Sequence, residues 1–407
     1  MNISLALRNI FRNKRRTILN LSMMAGAFAA VTTFSGFSAN ILESTRWGAV
    51  NGQYGHIQIA NKKIWDRNGS DSFRDRQLET ANVLQEKISK IPGVKSVSPR
   101  QSFYGLVSNG QTSVAAQVIG YEPQIENEIL EPTTLREGHL FTPIQGPDGI
   151  YQAAVGEGLA AQLSLKPGDQ ITILAQTADG AMNAVDTNVI MTFRTVIQEI
   201  DDSTIYVPIE LSRKILDTDT AERLIVKLRS HELVDEVYPK ILPLLDESAR
   251  ARTWLELARL YTQTAQYFES QNMVVASIIF FMIFLSTVSA VSMSVTERTG
   301  EIGTLRAIGR SSKNILSLFA FEGLFLGVFG SIIGVGLALL AAAVLNRLKL
   351  PIVLPGASTP IPILITFVLS AYIKAFLAIV GASFIATLLA ARRATKMKII
   401  DCLKYNI

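Results

Sequence analysis

Cysteine, histidine and charge are all scarce in this chain. It has 407 residues with one cysteine, three histidines and three tryptophans, and charged residues make up 18% of it. The single cysteine, Cys402, lies beyond the last apolar run, so no disulfide can form within the sequence and the soluble part must stand on its hydrophobic core. His56, His139 and His231 are widely spaced and have no cysteine partners, which argues against a zinc site or a His-based nucleophile system. No Gly-x-x-x-x-Gly-Lys-[Ser/Thr] occurs, so these residues carry no loop of their own to cradle a phosphate. Gly156-Glu-Gly158 lacks the third glycine of a dinucleotide site. The expectation is a chain without catalytic residues that binds no metal or cofactor itself.

Apolar residues, by contrast, are plentiful. They make up 48% of the chain, and the mean hydropathy is +0.28, as expected of a membrane protein with a large soluble part. Four runs, 18–42, 273–295, 315–345 and 364–390, are long enough to cross a hydrocarbon core, which takes about 20 residues. The first has no ionisable residue before Glu43 and is too long and too poorly cleavable for a signal peptide.

Orientation is read from Lys and Arg near the spans. Arg8, Arg12, Lys14, Arg15 and Arg16 precede the first run, and Arg392, Arg393, Lys396, Lys398 and Lys404 follow the fourth, against one acid, Asp401. The segment from 297 to Lys313 is also net basic. All three are expected on the cytoplasmic side, with 44–271 and 347–363 outside. Segment 44–271 holds 22 Lys and Arg against 29 Asp and Glu. The overall net charge of +5 therefore sits at the cytoplasmic edges, where it holds the topology and touches anionic lipid, and it does not point to nucleic acid.

The expected organisation is a cytoplasmic amphipathic helix over 1–16, spans over 17–43, 272–296, 315–346 and 364–391, an outer α+β domain with stalk over 44–271, a cytoplasmic segment over 297–314, a short outer loop over 347–363 and a cytoplasmic tail over 392–407. In residues 2–13, Ile3, Leu7, Ile10 and Phe11 share one helical face, which suits a helix lying in the interface. The outer segment alternates strand-like and helix-like stretches. Strands are expected over Val94–Arg100, Ser102–Ser108 and Ser113–Gly120, the last two joined by a turn at Asn109-Gly110. Lys166-Pro-Gly-Asp169 makes another turn. Residues 255–271 lead without Gly or Pro into the second span and are expected to form a helical stalk.

Small residues recur at helical spacing in the spans: Ser22, Gly26 and Ala30 in the first, Gly323 and Gly327, then Gly330 and Gly334, in the third. Such spacing lets helix backbones approach closely where lipid supplies no hydrophobic drive. Two charges, Glu322 and Lys374, fall within the runs. Each must pair, face protein or water, or reach an interface by its own length.

Between the second and third runs lies Glu297-Arg-Thr-Gly-Glu-Ile-Gly-Thr-Leu-Arg-Ala-Ile-Gly309, charged and punctuated by glycine. Its charges and apolar residues fall at helical spacing, which suggests a surface gripped by another protein. With four spans, an outer domain between the first two, this segment and Phe321-Glu322-Gly323 after it, the chain resembles the permease subunits of the MacB/LolC/LolE/FtsX class. These are ABC transporters of the mechanotransmission type in the bacterial inner membrane. Val94-Lys-Ser-Val-Ser-Pro99 and Val155-Gly-Glu-Gly-Leu-Ala-Ala-Gln-Leu-Ser-Leu-Lys-Pro-Gly-Asp169 carry the resemblance into the outer domain, which the family divides into Porter and Sabre parts. The resemblance implies that 297–309 is a cytoplasmic coupling helix docking on an ATPase. Ile302, Leu305 and Ile308 would enter a groove there, Glu297, Arg298, Glu301 and Arg306 would fix register, and Gly309 would close the motif. It also implies a separate ATPase dimer that holds ATP and Mg, a second permease, identical or homologous, and a periplasmic chaperone or adaptor. Three outcomes stay open: lipoprotein release, export of peptides, toxins or drugs, and FtsX-like activation of a cell-wall hydrolase without transport.

Overall fold

The computed structural model describes residues 14–65, 73–126, 134–141, 145–146, 149–195, 198–353 and 360–395. The interfacial helix expected over 2–13 and Cys402 lie outside these residues. The chain divides into two compact units, one mainly of sheet over Ser44–Gln263 and one of long helices.

Among the described residues the main sheet has ten strands: β1 Ile57–Asn61, β2 Val94–Ser108, β3 Ser113–Tyr121, β4 Thr134–Gly138, β5 Tyr151–Gly156, β6 Gln170–Gln176, β7 Met182–Arg194, β8 Thr204–Pro208, β9 Arg223–Leu228 and β10 Ala249–Thr253. They form one mixed sheet in the order β10-β1-β9-β2-β3-β8-β5-β7-β4, with β6 pairing β2 and β7. The β3–β8 and β5–β7 pairs are parallel and the remaining ladders antiparallel.

The two strands expected at 94–100 and 102–108 are a single strand of 15 residues. Its first half pairs with β9 and its second with β3. Val94 and Val97 enter one hydrophobic core, with Ile57, Ile59 and Val237. Phe103 and Val107 enter another, with Val155, Ile173 and Leu211. Between them Arg100 is buried. Its Nε donates to Glu126 Oε2 at 3.0 Å and its Nη1 to the Gln53 carbonyl at 2.6 Å. Lys227 lies 3.7 Å from the same carboxylate, so the one buried carboxylate faces two buried cations.

The histidines have local roles. His56 is buried, and its Nδ1 accepts from the Leu228 amide at 3.1 Å. His231 Nε2 lies 3.0 Å from Arg46 Nη1, and His139 is exposed. Gly156 and Gly158 serve packing: a Cβ on either would overlap Asp201 or Asp202 of the helix Gln198–Ser203.

Of the helices, α1 Lys14–Gly48 precedes the sheet and continues as a π-helical turn over Ala49–Tyr54. Ahead of β2 lies α2 Ala81–Ser89, and later in the sheet unit come α3 Glu157–Gln162, α4 Gln198–Ser203, α5 Ile209–Leu216, α6 Val234–Ile241 and α7 Trp254–Leu257. The remaining helices are α8 Arg259–Glu297, α9 Thr299–Ala307, α10 Ser312–Leu348 and α11 Leu369–Thr395. Four of them, α1, α8, α10 and α11, have the length and apolarity to cross a membrane.

The fourth helix starts at Leu369, later than the apolar run suggested. Residues 363–368, behind Pro360 and Pro362, form neither helix nor strand, and Ile365 and Thr366 send their backbone bonds elsewhere. Asn346 donates to the Ile365 carbonyl at 3.0 Å and accepts from its amide at 2.7 Å, and the Thr366 amide donates to the Gly36 carbonyl at 3.3 Å. Side-chain amides can satisfy such backbone where a helix does not, as membrane depth demands.

Helix α10 uses its glycines on two faces. A Cβ on Gly330 or Gly334 would sit 2.7 Å from Met24 Cβ or 2.5 Å from Phe28 Cβ of α1. One on Gly327 would sit 2.9 Å from Val380 Cα of α11, and one on Gly323 would overlap the Thr387 side chain. Ser383 also donates to the Gly323 carbonyl at 2.7 Å. Gly26 departs from the expectation. It is exposed with nothing within 4 Å of its Cβ position, because the buried face of α1 is carried by Met24, Ala25, Ala27 and Phe28.

Candidate functional site

The short helix α9 lies between the ends of two long ones. Its start is fixed by two consecutive residues that grip different helices. Glu297, the last residue of α8, takes a bond from Arg16 Nη1 of α1 at 3.2 Å. Arg298 turns inward, and its Nη1 lies 3.2 Å from Glu322 Oε1 of α10, with the two side chains only 7% and 12% exposed. The Arg298–Glu322 pair meets where water is scarce, while the Arg16–Glu297 pair stays partly open to solvent.

The middle of α9 is anchored by Ile302. It is buried in a cluster with Val291 and Val295 of α8, Ile315 and Phe319 of α10, and Ala390 and Ala391 of α11. The helix ends in a left-handed turn at Gly309, whose φ is +92°. There the Gly309 amide donates to the Arg306 carbonyl at 3.1 Å and the Arg310 amide to the Leu305 carbonyl at 3.0 Å. Both bonds satisfy carbonyls that a helix C-terminus leaves open. Ser311 then caps α10 by accepting from the Asn314 amide.

This geometry corrects part of the expected docking stripe. Ile302 and Arg298 face into the chain's own bundle and do not form an outward surface. The reason is helical phase: Ile302 and Ile308 lie six positions apart, about 120° around the axis at 3.6 residues per turn. Ile308 is 78% exposed. Leu305 and Arg306 are half-buried, and Glu301 and Gly309 are exposed. Arg310 and Lys313 flank the same end in sequence. Glu322 is held by Arg298 and does not depend on reaching an interface. Lys374 is exposed near the start of α11. The residue that sequence reasoning missed is Arg16, read as a topology-setting base. Its partner lies 281 positions away, a distance over which no local pattern reports.

Taken together, α9 is a short helix tied to the long ones. Two ion pairs and one buried isoleucine fix it to the long helices, and Leu305, Ile308 and neighbouring bases are left on its outer side.

The profile of the MacB-like periplasmic core domain matches residues 17–244, and that of the FtsX-like permease C-terminal region matches 273–399. The lipoprotein-releasing system transmembrane protein LolC of Neisseria meningitidis is 24% identical over 335 residues, covering 77% of this chain and 79% of LolC. LolE of Haemophilus influenzae is 22% identical, covering 64% of this chain and 63% of LolE. The macrolide export ATP-binding/permease protein MacB of Bdellovibrio bacteriovorus is 22% identical over 81% of this chain, which spans about half of MacB's length (49%). Among solved structures, the periplasmic region of MacB from Actinobacillus actinomycetemcomitans overlays 52% of this chain and 94% of its own, with a TM-score of 0.37 and 15% identity. With a core profile over more than half its length and a permease profile over residues 273–399, the chain belongs to the family of ABC transporter permeases that join a MacB-like periplasmic core to FtsX-like membrane helices.

Proposed function

We propose that this permease couples a separate ATPase, docked at α9, to lipoprotein release from the bacterial inner membrane. Both termini and residues 297–314 then lie in the cytoplasm and 44–271 in the periplasm, as the Lys and Arg bias favours. The observation that carries this reading is the build of α9. It is anchored on one side by Arg298 and Ile302 and offers Ile308 on the other, in a stretch that contains no phosphate-binding loop. ATP and Mg belong to the partner ATPase dimer, and a second permease, identical or homologous, completes the pair. A periplasmic chaperone or adaptor receives what is released. The lipoprotein reading is favoured by the even coverage of this chain and LolC. A second reading, export of peptides, toxins or drugs, is favoured by the MacB-like core over 17–244.

The test uses Ile308→Asp in the full chain, co-expressed with the ABC ATPase that co-purifies with the unaltered chain. The surface change should leave membrane levels intact, abolish ATPase co-purification and stop release of palmitate-labelled proteins from spheroplasts. Undiminished co-purification overturns the docking role. Intact docking together with lipoprotein release independent of this chain overturns the cargo, and efflux of a drug or peptide probe then supports the second reading.

A further inference from the structure

At the end of the helical unit opposite α9, hydrogen bonds tie four elements in a row. Ser35 of α1 donates its Oγ to Asn272 Oδ1 of α8 at 3.0 Å. The next residue, Gly36, takes the Thr366 amide on its carbonyl at 3.3 Å. Ile365, beside Thr366, is held by both ends of the Asn346 side chain of α10. The row therefore runs from α8 through α1 and the non-helical stretch 363–368 to α10.

Each contact is specific to its residue. A Cβ on Gly36 would sit 2.5 Å from the Thr366 carbonyl oxygen and 2.8 Å from Ile365 Cγ2, so only glycine allows this approach. The Asn272 Nδ2 donates back to the Phe268 carbonyl at 2.9 Å, and the Phe268 ring meets that of Phe37 of α1 edge-on, with centroids 6.4 Å apart. Both asparagines thus use both ends of their amides, and neither can turn without losing a bond.

The position of the row matters as much as its bonds. Asn272 stands one residue before the second apolar run, and Asn346 one residue after the third. Within the runs, apolar side chains meet lipid and helix alike, so packing alone sets the axial register weakly. A hydrogen bond is directional and is lost when a helix slides by a residue. Helices α1 and α8 are also the two whose chain continues into the sheet unit.

We propose that Ser35, Gly36, Asn272 and Asn346 form a polar collar that holds α1 in one axial register against α8 and against 363–368 throughout the ATPase cycle. They are positioning residues, and coupling of ATP hydrolysis to release requires them. The coupling clause rests on the ATPase docking proposed above, and the register clause does not.

The experiment takes the full chain in nanodiscs with its co-purifying ATPase and reads register and coupling separately. For register, Ser35→Cys/Asn272→Cys in a Cys402→Ser chain is treated with a short, reducible bis-methanethiosulfonate linker. Bridging should reach the same extent with and without ATP, and the bridged chain should keep its activity. Bridging in one nucleotide state only, or activity that stops on bridging and returns on reduction, overturns the proposal. For coupling, Asn272→Leu and Asn346→Leu should each raise the ATP hydrolysed per palmitate-labelled protein released several-fold, with membrane level and ATPase co-purification unchanged. Ser35→Asn/Asn272→Ser exchanges the partners and should bring the ratio back. An unchanged ratio in both leucine variants, or an exchange no better than Asn272→Leu, overturns the collar's role. Ile308→Asp should lose the ATPase and keep the bridge, so failure of the docking reading and failure of the collar are told apart.

Discussion

Arg298 and Glu322 meet at 3.2 Å, the one at the joint between α8 and α9, the other about three turns inside α10. The contact is indirect in sequence and direct in space. It converts the joint of a short helix into part of the long-helix bundle, so that α9 and α10 are positioned together.

Breaking that pair from one side leaves a buried charge without its partner, which costs about 3–5 kcal/mol. Arg298→Gln and Glu322→Gln should each lower the melting temperature in detergent and uncouple ATP hydrolysis from release. The double variant, with both charges removed, should recover most of the lost stability. Thermal unfolding of the four proteins forms a double-mutant cycle. Strictly additive effects would show that the two side chains do not interact.

The glycines of α10 should separate from Gly26. Gly327→Val and Gly334→Val force bulk against Val380 or Phe28, and overpacking of this kind costs about 1–3 kcal/mol. Gly26→Ala meets nothing within 4 Å and should fall within about 0.5 kcal/mol of the parent, as for other surface changes. Melting temperatures in one detergent give the ranking. A Gly26→Ala loss as large as the other two would place a contact on that face of α1.

In the sheet unit, burial pushes the Glu122 carboxyl above its ordinary range, and neighbouring Glu210 adds to the effect. A raised folded-state value means the native state favours the proton. Glu122 therefore supports the fold below its unfolded value, and that support is lost as pH rises through the folded one. Glu122→Gln should thus raise the melting temperature at neutral pH and leave it unchanged in the acidic range where Glu122 is protonated in both states. A melting temperature unaffected at neutral pH would refute this.

The four long apolar helices and the charged segment between the second and third were legible in the sequence, because length and polarity are local properties. The turns at Asn109-Gly110 and Lys166–Asp169 were legible for the same reason: Gly110 and Gly168 adopt positive φ, and Asp169 Oδ2 takes the Lys166 amide at 2.7 Å. Partners were not. Nothing near Glu297 announces Arg16, and nothing near Arg298 says that its guanidinium turns inward. The inward position of Ile302 was within reach, since a strict helical phase already separates it from Ile308. The late start of α11 was not, because the apolar run continues through 363–368 and only the bonds to Asn346 and Gly36 reveal that its backbone is not helical.

Strand β2 belongs to two hydrophobic cores of the sheet unit, with Val97 in one, Phe103 in the other and Arg100 between them. A strand cannot slip by one residue in one ladder while keeping its place in the other, since a one-residue slip turns every side chain to the opposite face. The two cores therefore share a single register. A cut placed between them would divide β2 and leave two unfinished halves in place of two domains.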